Sequence, residues 1–202
     1  TEIGADGILA VTPYYNKCTQ NGLVEYYKAV CGATPLPVIC YNVPGRTGVN
    51  ILPATMERIA DIPNIAGIKE ASGNMQQVME TACRIRYKCD LYSGEDALNL
   101  PILCAGGTAV ISVVSNIVPD QVKMLVECVQ NRDLVGANNV NDTLLPLIRA
   151  CFIEVNPIPI KAAMNLIGFD AGIPRAPLTP IEPEHLQLLK SAIQENYIEV
   201  NA

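Results

Sequence analysis

The chain has 202 residues, of which 50% are hydrophobic and 17% are charged, and its formal net charge is −6. This composition is typical of one globular domain, or of one domain with a small appendage, and the acidic balance argues against a nucleic-acid surface. The longest apolar runs are far shorter than the roughly 18 residues that a membrane-spanning helix needs. We therefore expect neither nucleic acid nor membrane as a partner.

The cysteines and the single histidine show neither the spacing of a metal site nor the partners of a catalytic triad. None of the eight cysteines forms a C-x-x-C pair, so the spacing of a zinc ribbon is absent. Several stand in apolar contexts such as PVICYN, and we expect reduced cysteines that act as small core residues, as in cytoplasmic proteins. The single histidine, His185, forms no triad or metal cluster with a second histidine, and we expect it on the surface.

Strand-like runs alternate with helical patterns along the first part of the chain. The paired strand and helix patterns are 6–15 with 23–33, 36–44 with 52–61, 65–72 with 74–86, 90–96 with 97–107, and 108–116 with 119–131. No Asn-Gly hairpin signal separates the strands, so the alternation predicts βαβ units and a parallel sheet. From Asp133 only helical patterns follow, over 133–152, 157–168 and 183–197. We therefore divide the chain into a βα portion, 1–132, and a helical C-terminal portion, 133–202.

The position of the polar side chains bears on whether the sheet is open or part of a barrel. No G-x-G-x-x-G or P-loop motif is present. Polar residues stand at the C-terminal end of nearly every strand: Tyr14 and Tyr15, Tyr41 and Asn42, Lys69 and Glu70, 93–96, and 112–116. In a (β/α)8 barrel that end carries the active site. Open α/β sheets also bind ligands there, so both architectures stay open at this point.

The third strand ends in a lysine, and strand alternation predicts its surroundings. One face of this strand carries Ile65, Gly67 and Lys69, and the other carries Ala66, Ile68 and Glu70. We expect Gly67 to leave room beside Lys69. Tyr41, on the preceding strand, is expected to point to the same side at a similar height.

A lysine beside a phenol in an apolar pocket has a chemical use. Burial disfavours the ammonium form, so the neutral amine of Lys69 becomes available to form a Schiff base with a ketone or aldehyde. The phenol of Tyr41 can then transfer protons. The alternative is that Lys69 extends from the strand end into solvent and pairs with Glu70 or Glu95.

Six stretches carry a family resemblance that spans nearly the whole chain. They are GILAVTPYYNK, YNVPGRTGVN, GIKEASGN, SGEDALNLP, GGTAVISVVSN and VNPIPIKAAM. In order and spacing they resemble the dihydrodipicolinate synthase family, within the class I pyruvate-dependent aldolases that include N-acetylneuraminate lyase. The resemblance implies a (β/α)8 TIM barrel followed by a helical C-terminal portion.

The resemblance implies roles for three catalytic residues. Lys69 matches the lysine that forms an imine with pyruvate, and Tyr41 matches the tyrosine of the proton relay. Tyr15 matches the tyrosine that reaches a neighbouring subunit's site in a tight dimer. Covalent imine formation through Lys69 implies a lyase that needs no metal and no organic cofactor.

Further positions match substrate-binding and interface residues of the family. Arg46 matches the arginine that binds the carboxylate of aspartate semialdehyde, the second substrate. Gly94 and Ile111 match backbone positions that line the pyruvate pocket, and Tyr14 matches an interface residue near the allosteric lysine site. The implied reaction belongs to lysine and diaminopimelate biosynthesis, in a cytoplasmic homotetramer built as a dimer of dimers.

The chain departs from the family pattern at its N-terminal side. It supplies strands 4 to 8 only, so three βα units, about 90 residues, precede them in the pattern. Those units carry a Thr-Thr motif that completes the hydroxyl relay, and we expect the chain alone to be a poor catalyst. A lyase for another 2-oxo acid and a non-catalytic half-barrel are the alternatives. Arg46 argues against the first. The missing threonines favour the second, and the retained Lys69, Tyr41, Tyr15 and Arg46 argue against it.

Overall fold

The computed structural model describes residues 2–196. The chain divides into two compact units, one ending at Ile111 and the other beginning at Ser112. This division precedes the boundary at 132/133 that the end of the strand–helix alternation suggested. The reason is that the helix over 119–130 packs against the following helix, over 134–151. The division into domains 1–132 and 133–202 stays a prediction.

Unit 1 contains a parallel sheet of five strands in sequential order. The strands are β1 (Ile8–Val11), β2 (Val38–Asn42), β3 (Ile65–Glu70), β4 (Asp90–Ser93) and β5 (Ala109–Val110). The predicted α/β class with a parallel sheet is confirmed. The run 108–116 is a strand only at Ala109–Val110, and a 3-10 turn follows at Val114–Asn116.

The helices of unit 1 begin where the sequence supplies caps and prolines. They are α1 (Gln20–Gly32), α2 (Pro44–Thr47), α3 (Pro53–Ile59), α4 (Met75–Ile85) and α5 (Asn99–Cys104), with a 3-10 turn at Asp96–Leu98 before α5. The Thr19 side chain accepts a hydrogen bond from Gly22 N at 3.1 Å, and Asn74 accepts one from Gln77 N at 3.2 Å. Proline at the first position of α2 and α3 loses no helical hydrogen bond there. The four-residue α2 was not predicted.

One face of the sheet packs against α1, α3 and α4 to form the core of unit 1. Leu23, Tyr27 and Cys31 of α1, which follow one another at intervals of four residues, are buried, and Tyr27 donates a hydrogen bond to Ala10 O at 3.0 Å. The fully buried Ile68 of β3 lies in the same core. Each such large aliphatic side chain contributes about 1.5–3 kcal/mol relative to exposure.

The register of β2 and β3 corrects the predicted alternation at one residue. Val38 pairs with Ile65, but the next residue, Ile39, pairs with Gly67, so Ala66 is an extra residue in β3. This irregularity moves Ile65 into the core beside Val38, rather than onto the face of Lys69. The prediction that Ile65 shares the face of Lys69 was therefore wrong, whereas Gly67 and Lys69 keep their alternation.

Unit 2 is helical, as the sequence predicted. Its helices are α6 (Pro119–Gln130), α7 (Leu134–Cys151), α8 (Ile158–Leu166) and α9 (Pro183–Glu195). Asp133 caps α7 by accepting a hydrogen bond from Gly136 N at 2.8 Å. Leu144, Leu147 and Leu189 are fully buried where α7 and α9 pack together. The last residue of the predicted helix 183–197 lies outside the described residues.

His185 lies at the surface only in part, because 27% of its side chain is exposed. Its Nδ1 lies 2.7 Å from Glu154 Oε1, and the same oxygen accepts a hydrogen bond from Glu182 N at 2.9 Å. The contact connects α9 to the segment that follows α7. None of the helices between residues 2 and 196 has both the length and the apolar character of a transmembrane span.

Candidate active site

The site forms where β2 and β3 end, around Tyr41 and Lys69. These two residues are paired in the register of the two strands, so their side chains leave the sheet on the same face at the same height. Lys69 Nζ lies 4.3 Å from the centroid of the Tyr41 ring. Both side chains are half-buried. The predicted juxtaposition of the amine and the phenol is confirmed, while their chemical roles stay predictions.

The surroundings of Lys69 favour the neutral amine. Burial lowers the pKa of Lys69, the charge of Asp96 opposes this shift, and the charge of Arg46 adds to it. Lys69 forms no ion pair with a carboxylate within residues 2–196, and Glu70 points to the opposite face. The alternative of a solvated lysine paired with Glu70 or Glu95 is therefore wrong for this structure. An amine with a lowered pKa is a better nucleophile near neutral pH.

The glycine that leaves room for Lys69 is Gly94, not Gly67. A Cβ atom at Gly94 would lie 2.7 Å from Lys69 Cγ and 2.8 Å from Lys69 Cε. A Cβ atom at Gly67 would instead lie 2.7 Å from the backbone oxygen of Asp90 and 2.8 Å from the ring of Tyr92. The sequence therefore predicted a space beside Lys69 correctly but assigned it to the wrong glycine.

The phenol of Tyr41 is held in its protonated form. Burial raises the pKa of Tyr41, Arg46 opposes the shift, and Glu95 adds to it. A protonated phenol against an amine can donate a proton to an oxygen or nitrogen that forms there and later take one back. The pair thus offers both a nucleophile and a proton donor.

Arg46, Tyr14 and Tyr15 surround an open cavity next to this pair. The cavity has a volume of about 640 Å³, and Tyr41 forms part of its wall. Arg46 lies in α2, which ends at Thr47 and is followed by Gly48 with a φ of 69°. Arg46 and Tyr41 thus line the same cavity, and a guanidinium there can bind a carboxylate.

Tyr14 and Tyr15 extend from the turn that follows β1. Tyr15 has a φ of 65°, a left-handed backbone conformation that is uncommon outside glycine, and its side chain is 90% exposed. Tyr14 is 69% exposed, and its carbonyl accepts a hydrogen bond from Asn16 N at 2.8 Å. A tight turn thus presents two phenols to solvent beside the cavity.

Ile111 lies at the same end of the sheet, past β5. Its backbone N–H donates to Ser93 O at 2.8 Å, and the N–H of Gly94 donates to Glu70 O at 2.8 Å. Both predicted pocket positions therefore continue the hydrogen bonding of the strand ends. Lys69, Tyr41 and Gly94 come together directly, whereas Ile111 lies two strands away from Lys69.

The sequence placed two groups of polar residues at the strand ends but did not predict what they contact at the site. Asp96, 2% exposed, is the carboxylate whose charge raises the pKa of Lys69. It belongs to the polar run 93–96, but its burial was not visible in the sequence. The second group is Asn42 and Glu70, which pair with each other on the opposite face of the sheet. The alternation of Tyr41 with Asn42 and of Lys69 with Glu70 was a signal that could have found them.

Metal ligation finds no support in the part of the chain that the structure describes, because no three His, Cys, Asp or Glu side chains converge there. The group available for covalent chemistry on a carbonyl compound is the amine of Lys69.

Comparison with known proteins identifies the family. The pattern of the Dihydrodipicolinate synthetase family matches residues 1–196 of the chain. The chain belongs to the dihydrodipicolinate synthetase family. Among curated relatives of this family member, the 4-hydroxy-tetrahydrodipicolinate synthase of Caldicellulosiruptor bescii is 50% identical over 199 residues, which cover 98% of this chain and 67% of the relative.

Solved structures of dihydrodipicolinate synthases share the fold of this family member. The enzyme of Thermotoga maritima has 44% identity and a TM-score of 0.94, over 97% of this chain and 68% of that one. A chloride-inhibited enzyme of Acinetobacter baumannii, complexed with pyruvate, has 40% identity and a TM-score of 0.94, over 98% and 68%. The chain thus spans about two thirds of the length of the proteins that it matches.

Proposed function

We propose that the chain carries the Schiff-base site of a lyase that condenses pyruvate with aspartate semialdehyde to a hydroxy-tetrahydrodipicolinate, in lysine and diaminopimelate biosynthesis. The observation that carries the proposal is the half-buried amine of Lys69, 4.3 Å from the centroid of the Tyr41 ring. Family membership and the names of the relatives support the same reaction. The pyruvate complex of the Acinetobacter baumannii enzyme supports the first substrate.

The reaction begins with the neutral amine of Lys69. Its nitrogen attacks the keto carbon of pyruvate, and the carbinolamine that forms loses water to give an imine. Tyr41 donates the proton that the departing hydroxyl needs. The methyl carbon then loses a proton to give an enamine, with the imine nitrogen accepting the electron pair.

The enamine then forms the new carbon–carbon bond. Its carbon attacks the aldehyde of aspartate semialdehyde, and the aldehyde oxygen takes up a proton to become the hydroxyl group of the product. The amine of the semialdehyde attacks the imine carbon and displaces Lys69 as the ring closes. Overall one water leaves, and the amine of Lys69 is regenerated without oxidation or reduction.

The surrounding residues bind and orient the two substrates. Arg46 binds the carboxylate of the semialdehyde through its two parallel N–H groups. Backbone groups at Gly94 and Ile111 line the pyruvate pocket. Tyr15 connects the relay through Tyr41 to solvent, and Tyr14 belongs to an interface near a regulatory lysine site.

The assembly that we propose is a homotetramer, a dimer of dimers, in the cytoplasm. The 90% exposure of Tyr15 fits a residue that reaches a neighbouring subunit. The five strands of unit 1 are, on this proposal, strands 4 to 8 of a (β/α)8 barrel. The share of the relatives that the chain spans, 67% for the Caldicellulosiruptor bescii enzyme, supports this assignment.

A chase experiment tests the reaction and its second substrate. The chain is loaded with pyruvate, mixed with aspartate semialdehyde or with 3-aminopropanal, which lacks only the carboxylate, and then reduced with borohydride. We expect the semialdehyde to remove the pyruvate adduct from Lys69 at least about tenfold faster than 3-aminopropanal, because Arg46 binds the carboxylate.

The control is Arg46→Lys, which keeps the positive charge but loses the bidentate geometry, and should reduce this preference. Equal removal by both aldehydes in the unsubstituted chain would point instead to a lyase for another 2-oxo acid.

A further inference from the structure

A buried polar network lies behind the Tyr41–Lys69 pair. In the register of β2 and β3, Asn42 pairs with Glu70 immediately after Tyr41 pairs with Lys69. Side chains alternate across a sheet, so the amide and the carboxylate occupy the face opposite to the amine and the phenol. Both Asn42 and Glu70 are 0% exposed.

Glu70 is held by N–H donors. Asn42 Nδ2 donates to Glu70 Oε2 at 3.0 Å and to Oε1 at 3.3 Å, and Ser72 N donates to Oε1 at 2.7 Å. No lysine or arginine forms an ion pair with Glu70 among residues 2–196. Burial raises the pKa of Glu70, and the hydrogen bonds from Ser72 and Asn42 oppose that shift. The two carboxylate oxygens therefore bind the two strand ends together without a countercharge.

The network extends to the segment that carries Arg46. Asn42 Oδ1 accepts a hydrogen bond from Ile51 N at 2.9 Å, and Asn42 Nδ2 also donates to Asn50 Oδ1 at 3.0 Å. Asn50 and Ile51 follow the end of α2 after Gly48 and Val49, so Asn42 fixes the end of the segment that carries α2. The position of Arg46 is thus connected to the same amide that binds Glu70.

Helix α4 closes the network. Asn50 Nδ2 donates to Gln77 Oε1 at 2.8 Å, and Gln77 Nε2 donates to Asn50 Oδ1 at 3.0 Å. Gln77 is buried in the first turns of α4. The network therefore connects β2, β3, the loop after α2, and α4. Of these elements, β2 carries Tyr41, β3 carries Lys69, and the loop follows the short helix that carries Arg46.

We propose that Glu70, acting through Asn42, is a positioning residue that fixes the Tyr41–Lys69 register for imine formation and the Arg46 loop for binding of the second substrate. The proposal rests on the proposed function for its consequence in catalysis. A buried carboxylate without a cationic partner costs stability. The loss of stability is explained if the network holds Tyr41, Lys69 and Arg46 in place together, because small displacements of such groups slow a reaction strongly.

The test substitutes Glu70→Gln, which keeps the shape and removes an acceptor. Either orientation of the new amide turns an NH2 group toward an N–H donor, so either the 3.0 Å bond from Asn42 or the bond from Ser72 is lost. The readout is reductive methylation of Lys69 with formaldehyde and cyanoborohydride across a pH series, quantified by peptide mapping. We expect labelling at neutral pH to slow about tenfold and its pH midpoint to rise, because a displaced Lys69 becomes better solvated.

A rescue variant separates positioning from general damage. Combining Glu70→Gln with Asn42→Asp exchanges the donor and the acceptor between positions 42 and 70 and keeps one carboxylate in the network, while the donor to Asn50 Oδ1 is lost. We expect the double variant to label Lys69 faster than either single variant. A double variant that labels no faster than the singles would overturn the proposal.

The matched control is Val78→Ala. Val78 is buried in α4 next to Gln77 and makes no hydrogen bond in the network through its side chain. We expect it to lower the Tm while leaving the pH midpoint of Lys69 labelling unchanged. The proposal is contradicted if Glu70→Gln leaves the pH midpoint of Lys69 labelling where it is in the unsubstituted chain. It is also contradicted if Val78→Ala, at a comparable loss in Tm, shifts this midpoint as much as Glu70→Gln does.

Two further measurements keep the outcome unambiguous. If Glu70→Gln does not fold, Gln77→Leu replaces it. This variant removes only the hydrogen bonds between Gln77 and Asn50, so we expect the labelling of Lys69 to change in the same direction but by less. Unchanged labelling would then overturn the proposal.

Pyruvate trapping runs in parallel. Labelling of Lys69 by formaldehyde without any pyruvate adduct in the unsubstituted chain would reject the proposed function, while the formaldehyde data would still decide on Glu70.

Discussion

At the scale of single residues, Lys69 lies between two opposite charges. Burial lowers its pKa, Asp96 raises it, and Arg46 lowers it further. The sequence offered several carboxylates near Lys69, and only the structure shows that Asp96 acts on the amine while Glu70 faces away. The reactivity of the amine therefore depends on a balance that single substitutions can shift in either direction.

Neutralising the two charges should move the titration of Lys69 in opposite directions. Asp96→Asn removes the negative charge, lowers the pKa of Lys69, and moves the midpoint of amine labelling to lower pH. Arg46→Gln removes the positive charge and moves it to higher pH. Both shifts should be measurable, because solvent screens the two charges only partly at this half-buried site. Formaldehyde labelling across a pH series measures both, and midpoints that move in the same direction would refute the electrostatic account.

At the scale of elements, Gly67 within β3 and Gly94 directly after β4 have different functions. Gly94 gives room to a flexible side chain, that of Lys69, whereas Gly67 gives room to the backbone of β4 and to the ring of Tyr92. A flexible side chain can move away from a new methyl group, but a paired strand cannot move without losing contacts. A substitution at Gly94 should therefore affect the reactivity of Lys69, whereas one at Gly67 should affect the stability of the fold.

Alanine at these positions should give opposite phenotypes. Gly94→Ala displaces Lys69 and should slow its labelling at least about tenfold, with little change in stability. Gly67→Ala forces β3 and β4 apart and should lower the free energy of unfolding by about 1–3 kcal/mol. Urea unfolding and Lys69 labelling, measured on both variants, check the pair. A stability loss confined to Gly94→Ala would contradict the assigned contacts.

Pattern and spacing predicted most elements because those signals are local. The predicted helical pattern over 74–86 overlaps α4, and alternation placed Lys69 and Tyr41 on one face. The extra residue in β3 could not be predicted, because a bulge is defined by the partner strand. The contact of Gly94 with Lys69 also joins residues that are distant in sequence, and only the folded chain brings them together.

At the scale of the whole molecule, the cysteines report on burial across both units. Cys31, Cys40 and Cys151 are buried, whereas Cys83 and Cys104 are exposed. Burial also raises the pKa of Cys89 to about 11 and that of Cys40 well above its ordinary value. A thiol that is both buried and protonated reacts slowly with alkylating reagents.

Alkylation of the native chain should therefore follow burial. With iodoacetamide at neutral pH, Cys83 and Cys104 should react first, and the three buried thiols should react only after unfolding. Peptide mapping of a time course measures the order. Reaction of Cys40 as fast as that of Cys83 would show that the core of unit 1 is open in solution.

The central claim is that Lys69 is a nucleophile prepared for pyruvate, and borohydride trapping tests it most directly. The folded chain is incubated with pyruvate, reduced with borohydride and mapped by peptide mass spectrometry, with Tyr41→Phe as the comparison. The account predicts one pyruvate adduct on Lys69, formed more slowly when the phenol is removed. A folded chain without an adduct on Lys69, or with adducts spread equally over exposed lysines, would contradict it.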